Sequence, residues 1–118
     1  MLHALIALAL GQEPREPITI PIDEAPAELE RQAPELQSWL QEHPGILVEL
    51  QVHTDTSGSQ AYNQRISTER AVDLKRQLTD AGVSPSLVVA RGMGESAPIK
   101  EPDTDPGNRR VVLIFRPE

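Results

Sequence analysis

The sequence predicts an α+β domain, a two-layer sandwich in which helices cover one face of a four-stranded sheet. The first observation is the order of the predicted elements, which is β-α-β-α-β-β and favours a sheet with helices packed on one face. The second is the length of 118 residues, which fits a single domain, and no internal repeat is evident. The third is a composition of 38% apolar and 25% charged residues, which excludes a disordered tail and a membrane bundle.

The first half of the chain contains two predicted strands and one helix. Residues 18–22 alternate apolar and polar side chains as a strand does, although Pro21 cannot donate to a neighbouring strand. Apolar residues spaced three and four apart then predict a helix up to residue 42, and Pro34 is expected to kink or restart it. Residues 46–53 alternate again, which predicts a half-buried strand.

The second half contains the other helix and two more strands. A polar loop over residues 54–60 precedes a helix from 61 to about 81, which Gly82 ends. Residues 87–90 form the third predicted strand, followed by a turn at Gly92-Met93-Gly94, and residues 110–116 form the fourth. The proline-rich stretch between them is expected to be an exposed connection.

Residues 1–10 form an apolar run that is too short to span a bilayer. Ala7-Leu8-Ala9 imitates a signal-peptide cleavage site, but no Lys or Arg precedes the run. Two interpretations stay open: an export signal or its remnant, and a hydrophobic strand or tail that packs on the domain. The predicted organisation is an amino-terminal segment and linker over residues 1–16 and a folded domain over residues 17–118, with no transmembrane span.

Composition also limits the function. The net charge of −7 and the presence of only three aromatic residues disfavour nucleic acid as a partner. The lack of cysteine excludes disulfides, thiolate zinc sites and thiol nucleophiles. The Gly92-Met93-Gly94 segment is too short for a phosphate-binding fingerprint, so no cofactor is expected.

One charged residue interrupts the apolar face of the second helix. In steps of four, Arg70 falls between Ile66 and Leu74, where a guanidinium is costly unless an acid or a ligand satisfies it. A structural salt bridge or an Arg at the edge of the apolar face is one explanation, and a recognition residue is the other. Asp55 follows the second strand and lies close to the start of this helix. An exposed carboxylate beside a guanidinium suits a zwitterion such as an amino-acid head group.

The chain contains four motifs in this order: His53-Thr-Asp-Thr-Ser-Gly58, Asn63-Gln-Arg-Ile-Ser-Thr-Glu-Arg-Ala71, Gly92-Met-Gly-Glu95 with Pro98, and Asn108-Arg-Arg-Val111. Together they resemble the OmpA-like peptidoglycan-binding domain. The resemblance covers roughly residues 18–115 and implies a mixed sheet backed by helices, with a pocket for the diaminopimelate of the peptidoglycan stem peptide.

The resemblance also implies a set of ligand-binding residues. Two of them match the positions that bind the diamino acid, two match neighbouring polar positions of the pocket, one lies in the loop after the first strand, and one belongs to the Asn-Arg-Arg element. In that order they are Asp55 and Arg70, Ser57 and Asn63, Asp23, and Arg109.

The expected function is non-catalytic peptidoglycan binding that anchors a protein or the outer membrane to the cell wall. This places the chain in the periplasm or cell envelope, where envelope proteins are further candidate partners. The alternative is an interaction or structural domain of the same fold, in which Asp55 and Arg70 satisfy each other. A ligand-ready pocket should leave both side chains accessible to solvent, whereas a structural pair should be closed off and mutually bonded.

The sequence gives weaker support to a metal site or to an enzymatic active site. His53 and Asp55 are two residues apart, and two ligands do not make a metal site. Ser57 near them does not form a catalytic triad, because adjacency in sequence is not triad geometry and no nucleophile elbow is present. Neither a metal site nor an enzyme is expected.

Overall fold

A computed structural model describes residues 16–118, and within them the predicted order of elements is confirmed. The prediction for the amino-terminal apolar segment lies outside the described residues. Two short 3₁₀ turns, Pro85–Leu87 and Pro106–Asn108, precede the last two strands. The strands are β1 (Ile18–Pro21), β2 (Ile46–His53), β3 (Val88–Gly94) and β4 (Arg110–Pro117), and the helices are α1 (Ala25–Glu42) and α2 (Gln60–Asp80).

The four strands form one mixed sheet in the order β1-β4-β2-β3. The pair β2 and β3 is parallel, and β4 is antiparallel to both of its neighbours. Pro21 lies at the end of the β1 ladder, opposite Arg110, and β1 is an edge strand. An edge position tolerates proline because one side of the strand needs no donor.

Both helices pack on the same face of the sheet. Alternate residues of β2 (Val48, Leu50 and Val52) are fully buried in the core that the helices cover, while Glu49 and Gln51 point to the other face. Burial of each large aliphatic side chain is worth about 1.5–3 kcal/mol, which stabilises the two-layer arrangement. The helical side of this core is formed by Leu29, Ala33, Leu36, Trp39, Leu40, Ala71, Leu74 and Leu78.

Two predictions of local structure need correction. Helix α1 is continuous from Ala25 to Glu42, so Pro34 does not restart it, and the kink stays a prediction. Pro34 lies on the exposed side, where water can satisfy the carbonyl that the missing N–H leaves without a partner. The third strand continues four residues beyond its predicted end, to Gly94. The extension pairs with β2 as far as His53. The glycines that were expected to form a turn are therefore the end of the strand.

Helix α2 lies directly against β3 because two glycines allow a close approach. A Cβ atom at Gly92 would overlap the backbone of Thr68. The Gln64 amide donates to the carbonyl of Gly92 at 2.7 Å, and the Gly94 N–H donates to the buried Ser67 hydroxyl at 3.0 Å. These contacts between α2 and β3 fix the position of the helix that carries Arg70 relative to the sheet.

Candidate ligand-binding pocket

An open pocket of about 210 Å³, hereafter the ligand pocket, lies where the loop after β2 meets α2. Five of the six predicted site residues line it. Its lining consists of Thr54, Asp55, Ser57, Tyr62, Asn63, Ile66, Arg70 and Arg109.

The helical wall of the pocket starts at a capped helix end. The Ser59 hydroxyl accepts a hydrogen bond from the Tyr62 N–H at 3.1 Å, which satisfies one free donor of the first turn. Tyr62, Ile66 and Arg70 follow one another in steps of four, so they project from one face of α2. The cap therefore sets the start of the row that presents Arg70 to the pocket.

Asp55 is an anchored carboxylate and not the exposed one that the sequence predicts. Its side chain is 8% exposed. One oxygen, Oδ1, accepts a hydrogen bond from the Ser57 N–H at 2.9 Å, and Oδ2 lies 3.1 Å from Nε of Arg109. The tight turn of the loop and the Arg109 side chain cover this carboxylate, which explains the lower exposure.

Arg70 is half-buried and lines the same pocket. Among residues 16–118, no side chain forms an ion pair or hydrogen bond with its guanidinium. Asp55 pairs with Arg109 instead. The mutually bonded Asp55–Arg70 pair that the structural alternative requires is therefore not formed, and the donors of Arg70 remain available to a ligand.

Asn63 is a buried residue that holds the loop after β2 through hydrogen bonds of its side-chain amide. It is 3% exposed, and its amide nitrogen lies 3.2 Å from the Asp55 carbonyl, 2.9 Å from the Ser57 carbonyl and 2.8 Å from Oε1 of Glu95. These acceptors occupy the amide nitrogen. Asn63 therefore holds the backbone around Asp55 in place, and Ser57 supplies its N–H to that carboxylate.

The Asn-Arg-Arg element divides into two structural residues and one pocket residue. Asn108 is fully buried, and its Oδ1 accepts from the N–H groups of Ile99 (2.7 Å) and Lys100 (2.8 Å). The buried Arg110 donates to the carbonyls of Asn108 (3.1 Å) and Ala97 (2.8 Å), and burial lowers the pKa of its guanidinium. These flanking residues brace the loop that presents Arg109 to Asp55.

Asp23 does not line the ligand pocket. It is exposed and borders a neighbouring groove of about 380 Å³ beside β1. Arg109 forms a wall of both cavities. A contact between Asp23 and a ligand stays a prediction, and it would require a ligand that extends past Arg109.

His53 is buried outside the pocket lining. Its Nε2 lies 3.2 Å from Oε1 of Gln51, and its Nδ1 is buried without a hydrogen-bond partner. Burial, together with the positive charge of Arg110, lowers the pKa of His53 to about 4. Across the described part of the chain, no group of three or more His, Cys, Asp or Glu side chains could hold a metal ion.

Sequence reasoning missed four residues of this region. The aromatic ring of Tyr62 lies on the same row as Ile66 and Arg70, so extending the steps of four by one turn would have found it. Glu95 contacts Asn63 across a separation of 32 residues, and no local pattern predicts that contact. The residues missed are Thr54, Tyr62, Ile66 and Glu95.

The comparison with protein families agrees with this architecture. The model of the OmpA family matches residues 18–111, which is most of the chain. This chain belongs to the OmpA family. The chain is 42% identical over 79 residues to outer membrane porin F of Pseudomonas fluorescens, an alignment that covers 64% of this chain and 24% of that protein. It therefore spans about a quarter of the length of that relative.

Solved structures of OmpA-like domains share the fold. The peptidoglycan-associated lipoprotein of Burkholderia pseudomallei matches with a TM-score of 0.63 and 24% identity, over 91% of this chain and 85% of that one. The periplasmic domain of Helicobacter pylori MotB matches with a TM-score of 0.69 and 18% identity, over 86% of this chain and 82% of that one. At these identities the likeness shows the fold alone. No helix within residues 16–118 has the length and apolar character needed to cross a membrane.

Proposed function

We propose that this domain binds peptidoglycan without catalysis, through the zwitterionic end of the diaminopimelate side chain, and so attaches a protein or the outer membrane to the cell wall. The observation that carries the proposal is the pairing of opposite charges in one open pocket. Asp55 offers an anchored carboxylate, and Arg70 offers a guanidinium without a partner among residues 16–118. The OmpA family membership and the likeness to a peptidoglycan-associated lipoprotein support it.

The pocket offers an opposite charge to each of the two charges of this ligand. Arg70 and Arg109 supply two positive charges and Asp55 one negative charge, so the lining carries one surplus positive charge. The ligand carboxylate binds Arg70, since a planar guanidinium can donate two parallel hydrogen bonds to it. The ligand ammonium binds Asp55, whose carboxylate still faces the pocket. Contacts of this number give weak single sites, and many domains on one polymer give firm attachment.

The test is cosedimentation of the purified domain with insoluble peptidoglycan that contains diaminopimelate. Asp55→Ala is expected to lower the affinity for peptidoglycan by about 100-fold, since a charge-assisted contact in a partly buried site is worth about 2–3 kcal/mol. Arg70→Lys is expected to bind about tenfold more weakly, because a point charge cannot reproduce the planar donor pair. Glu49→Gln, which removes a carboxylate outside the pocket, is the matched control and should bind as the unmodified chain does.

The second part of the test compares binding to peptidoglycan of two types, one with diaminopimelate and one with lysine. A lysine-type wall offers the ammonium without the neighbouring carboxylate, so the unmodified domain should bind it at least tenfold more weakly. Equal binding to both walls, or unchanged binding by Asp55→Ala, would contradict the proposal. An interaction domain that has lost the ligand would bind neither wall.

A further inference from the structure

Thr56 lies between two residues of the ligand pocket, Asp55 and Ser57, and does not itself line the cavity. Its hydroxyl donates to Oδ1 of Asp103 at 2.9 Å, and its N–H donates to the carbonyl of Asp103 at 3.2 Å. The two residues are 47 positions apart in the sequence. Two hydrogen bonds therefore tie the loop after β2 to the loop between β3 and β4.

Asp103 extends this contact to the residue that carries the second charge of the pocket floor. Its carbonyl also accepts a hydrogen bond from Nδ2 of the buried Asn108 at 3.1 Å. Asn108 directly precedes Arg109, whose Nε lies 3.1 Å from Oδ2 of Asp55. Hydrogen bonds, peptide bonds and the ion pair thus close a ring, hereafter the loop ring. Its members, in order, are Asp55, Thr56, Asp103, Asn108 and Arg109.

The loop after β2 has two supports of different strength. The Asn63 amide of α2 contacts the carbonyls of Asp55 and Ser57 in buried and part-buried positions. Asp103 holds Thr56, between those two residues, through a side-chain hydrogen bond that is exposed to solvent. Water competes for an exposed hydrogen bond, so the contact with Asp103 is the weaker support. Its loss should loosen the loop and leave the fold intact.

Neither Thr56 nor Asp103 lines the ligand pocket, so these side chains can affect a ligand only through the residues that they hold. The ion pair between Asp55 and Arg109 spans the same two loops that the hydrogen bonds of Thr56 join. A shift of one loop relative to the other changes the direction of the Asp55 carboxylate. Charge-assisted hydrogen bonds depend steeply on distance and angle, so such a shift weakens the contact with a ligand ammonium.

We propose that Thr56 and Asp103 are positioning residues of the ligand pocket. Their hydrogen bonds hold the two loops that carry Asp55 and Arg109 in the relative position at which the Asp55 carboxylate receives the ligand ammonium. This inference rests on the proposed function. It adds two residues outside the pocket that set the affinity of the charged groups within it.

The test is a double-mutant cycle, measured by cosedimentation of the full chain with insoluble peptidoglycan that contains diaminopimelate. Thr56→Val and Asp103→Ala each remove the side-chain hydrogen bond, and each should weaken binding about fivefold. The double variant should also bind about fivefold more weakly, because the second change removes no further contact. Two independent losses would instead multiply to about 25-fold.

Conservative variants separate the hydrogen bond from the charge and the shape of the two side chains. Asp103→Asn keeps an acceptor oxygen and Thr56→Ser keeps the hydroxyl, so both should bind within about twofold of the unmodified chain. Thr104→Val replaces a hydroxyl with a methyl group at an exposed neighbour of Asp103 and should not alter binding. Because the Thr56–Asp103 bond is exposed, all the variants should unfold at nearly the same temperature.

The outcomes separate this inference from the proposed function. If the unmodified chain cosediments and either single variant binds equally well, the contact does not position the pocket. A multiplicative loss in the double variant, or equal weakening by Asp103→Asn and Asp103→Ala, would also overturn the inference. So would a large fall in unfolding temperature that accompanies each loss of binding. In all these cases the charged pocket still stands. If the unmodified chain does not bind peptidoglycan, the proposed function is wrong and the inference is wrong with it.

Discussion

Two buried carboxylates, Glu49 within β2 and Asp55 in the loop after it, differ in their hydrogen-bond partners. Glu49 is 6% exposed and Asp55 is 8% exposed, so burial does not distinguish them. Glu49 accepts from Arg116 Nε (2.9 Å), Arg91 Nη1 (3.1 Å) and Gln51 Nε2 (2.7 Å). Asp55 has one backbone N–H and one guanidinium, and it faces an open pocket.

The surroundings of Glu49 explain why it is structural. Burial acts to raise the pKa of its carboxyl group, but the hydrogen bonds from Gln51 and Arg116 and the charge of Arg91 outweigh burial and hold that pKa below its usual value. Three donors of the chain leave little room for a ligand. The comparison teaches that two equally buried carboxylates can differ in how far the chain's own donors saturate them: Glu49 is saturated, whereas Asp55 lines an open pocket.

The largest expected effect concerns His53, which lies between the two carboxylates on β2. Its pKa is about 4 in the folded state and 6.5 in the unfolded chain, so the folded state binds the proton less readily. Its contribution to stability is complete above pH 6.5 and is lost as the pH falls from 6.5 towards 4. The loss approaches roughly 3 kcal/mol, since one pKa unit corresponds to about 1.4 kcal/mol.

Urea denaturation between pH 7 and pH 4 measures this loss. His53→Gln keeps a polar side chain that does not titrate, and all other groups titrate equally in both proteins. The free energy of unfolding of the unmodified chain should therefore fall more steeply below pH 6.5 than that of His53→Gln. Parallel curves would show that burial and the charge of Arg110 do not lower the pKa of His53.

The next effect concerns Glu49 itself. Glu49→Gln removes the charge that Arg91 and Arg116 share, and we expect the free energy of unfolding at pH 7 to fall by about 1–2 kcal/mol. The estimate is moderate because the two arginines are 55% and 41% exposed and water screens the pair. Thermal denaturation measures the change. A loss of peptidoglycan binding in this variant, with the fold intact, would overturn the distinction between the two carboxylates.

The smallest stability effect concerns Arg109. Because this side chain is 45% exposed, Arg109→Gln should reduce the free energy of unfolding by less than about 1 kcal/mol. It should nevertheless weaken cosedimentation with peptidoglycan severalfold, since the pocket loses one of its two cations. Arg116→Gln is the matched control, since this arginine has a similar exposure and a similar carboxylate partner away from the pocket. Equal binding by the two variants would exclude Arg109 from the ligand site.

Local patterns were sufficient to predict the two helices and strand β2. The alternation over β2 and the apolar spacing of α2 are direct consequences of strand and helix geometry, so their bounds agree with the structure to within about a residue. The extension of β3 to Gly94 was not predictable in this way. It depends on pairing with β2 and on the contact with α2, and both involve residues that are distant in sequence.

Five of the six residues predicted for the site line the ligand pocket, but the hydrogen bonds and ion pairs among them were not predicted. The position of Arg70 on an apolar row, together with the family resemblance, placed it and Asp55 at one pocket. The pairing of Asp55 with Arg109 joins residues 54 positions apart and depends on the loop that Asn108 braces. No pattern of spacing encodes such a contact.

The absent side chain of Gly92 also bears on the ligand pocket. Since the backbone of β3 meets that of α2 at Gly92, a larger residue there would push the helix that carries Arg70 away from the sheet. One wall of the pocket is therefore held in position by a residue that does not line it.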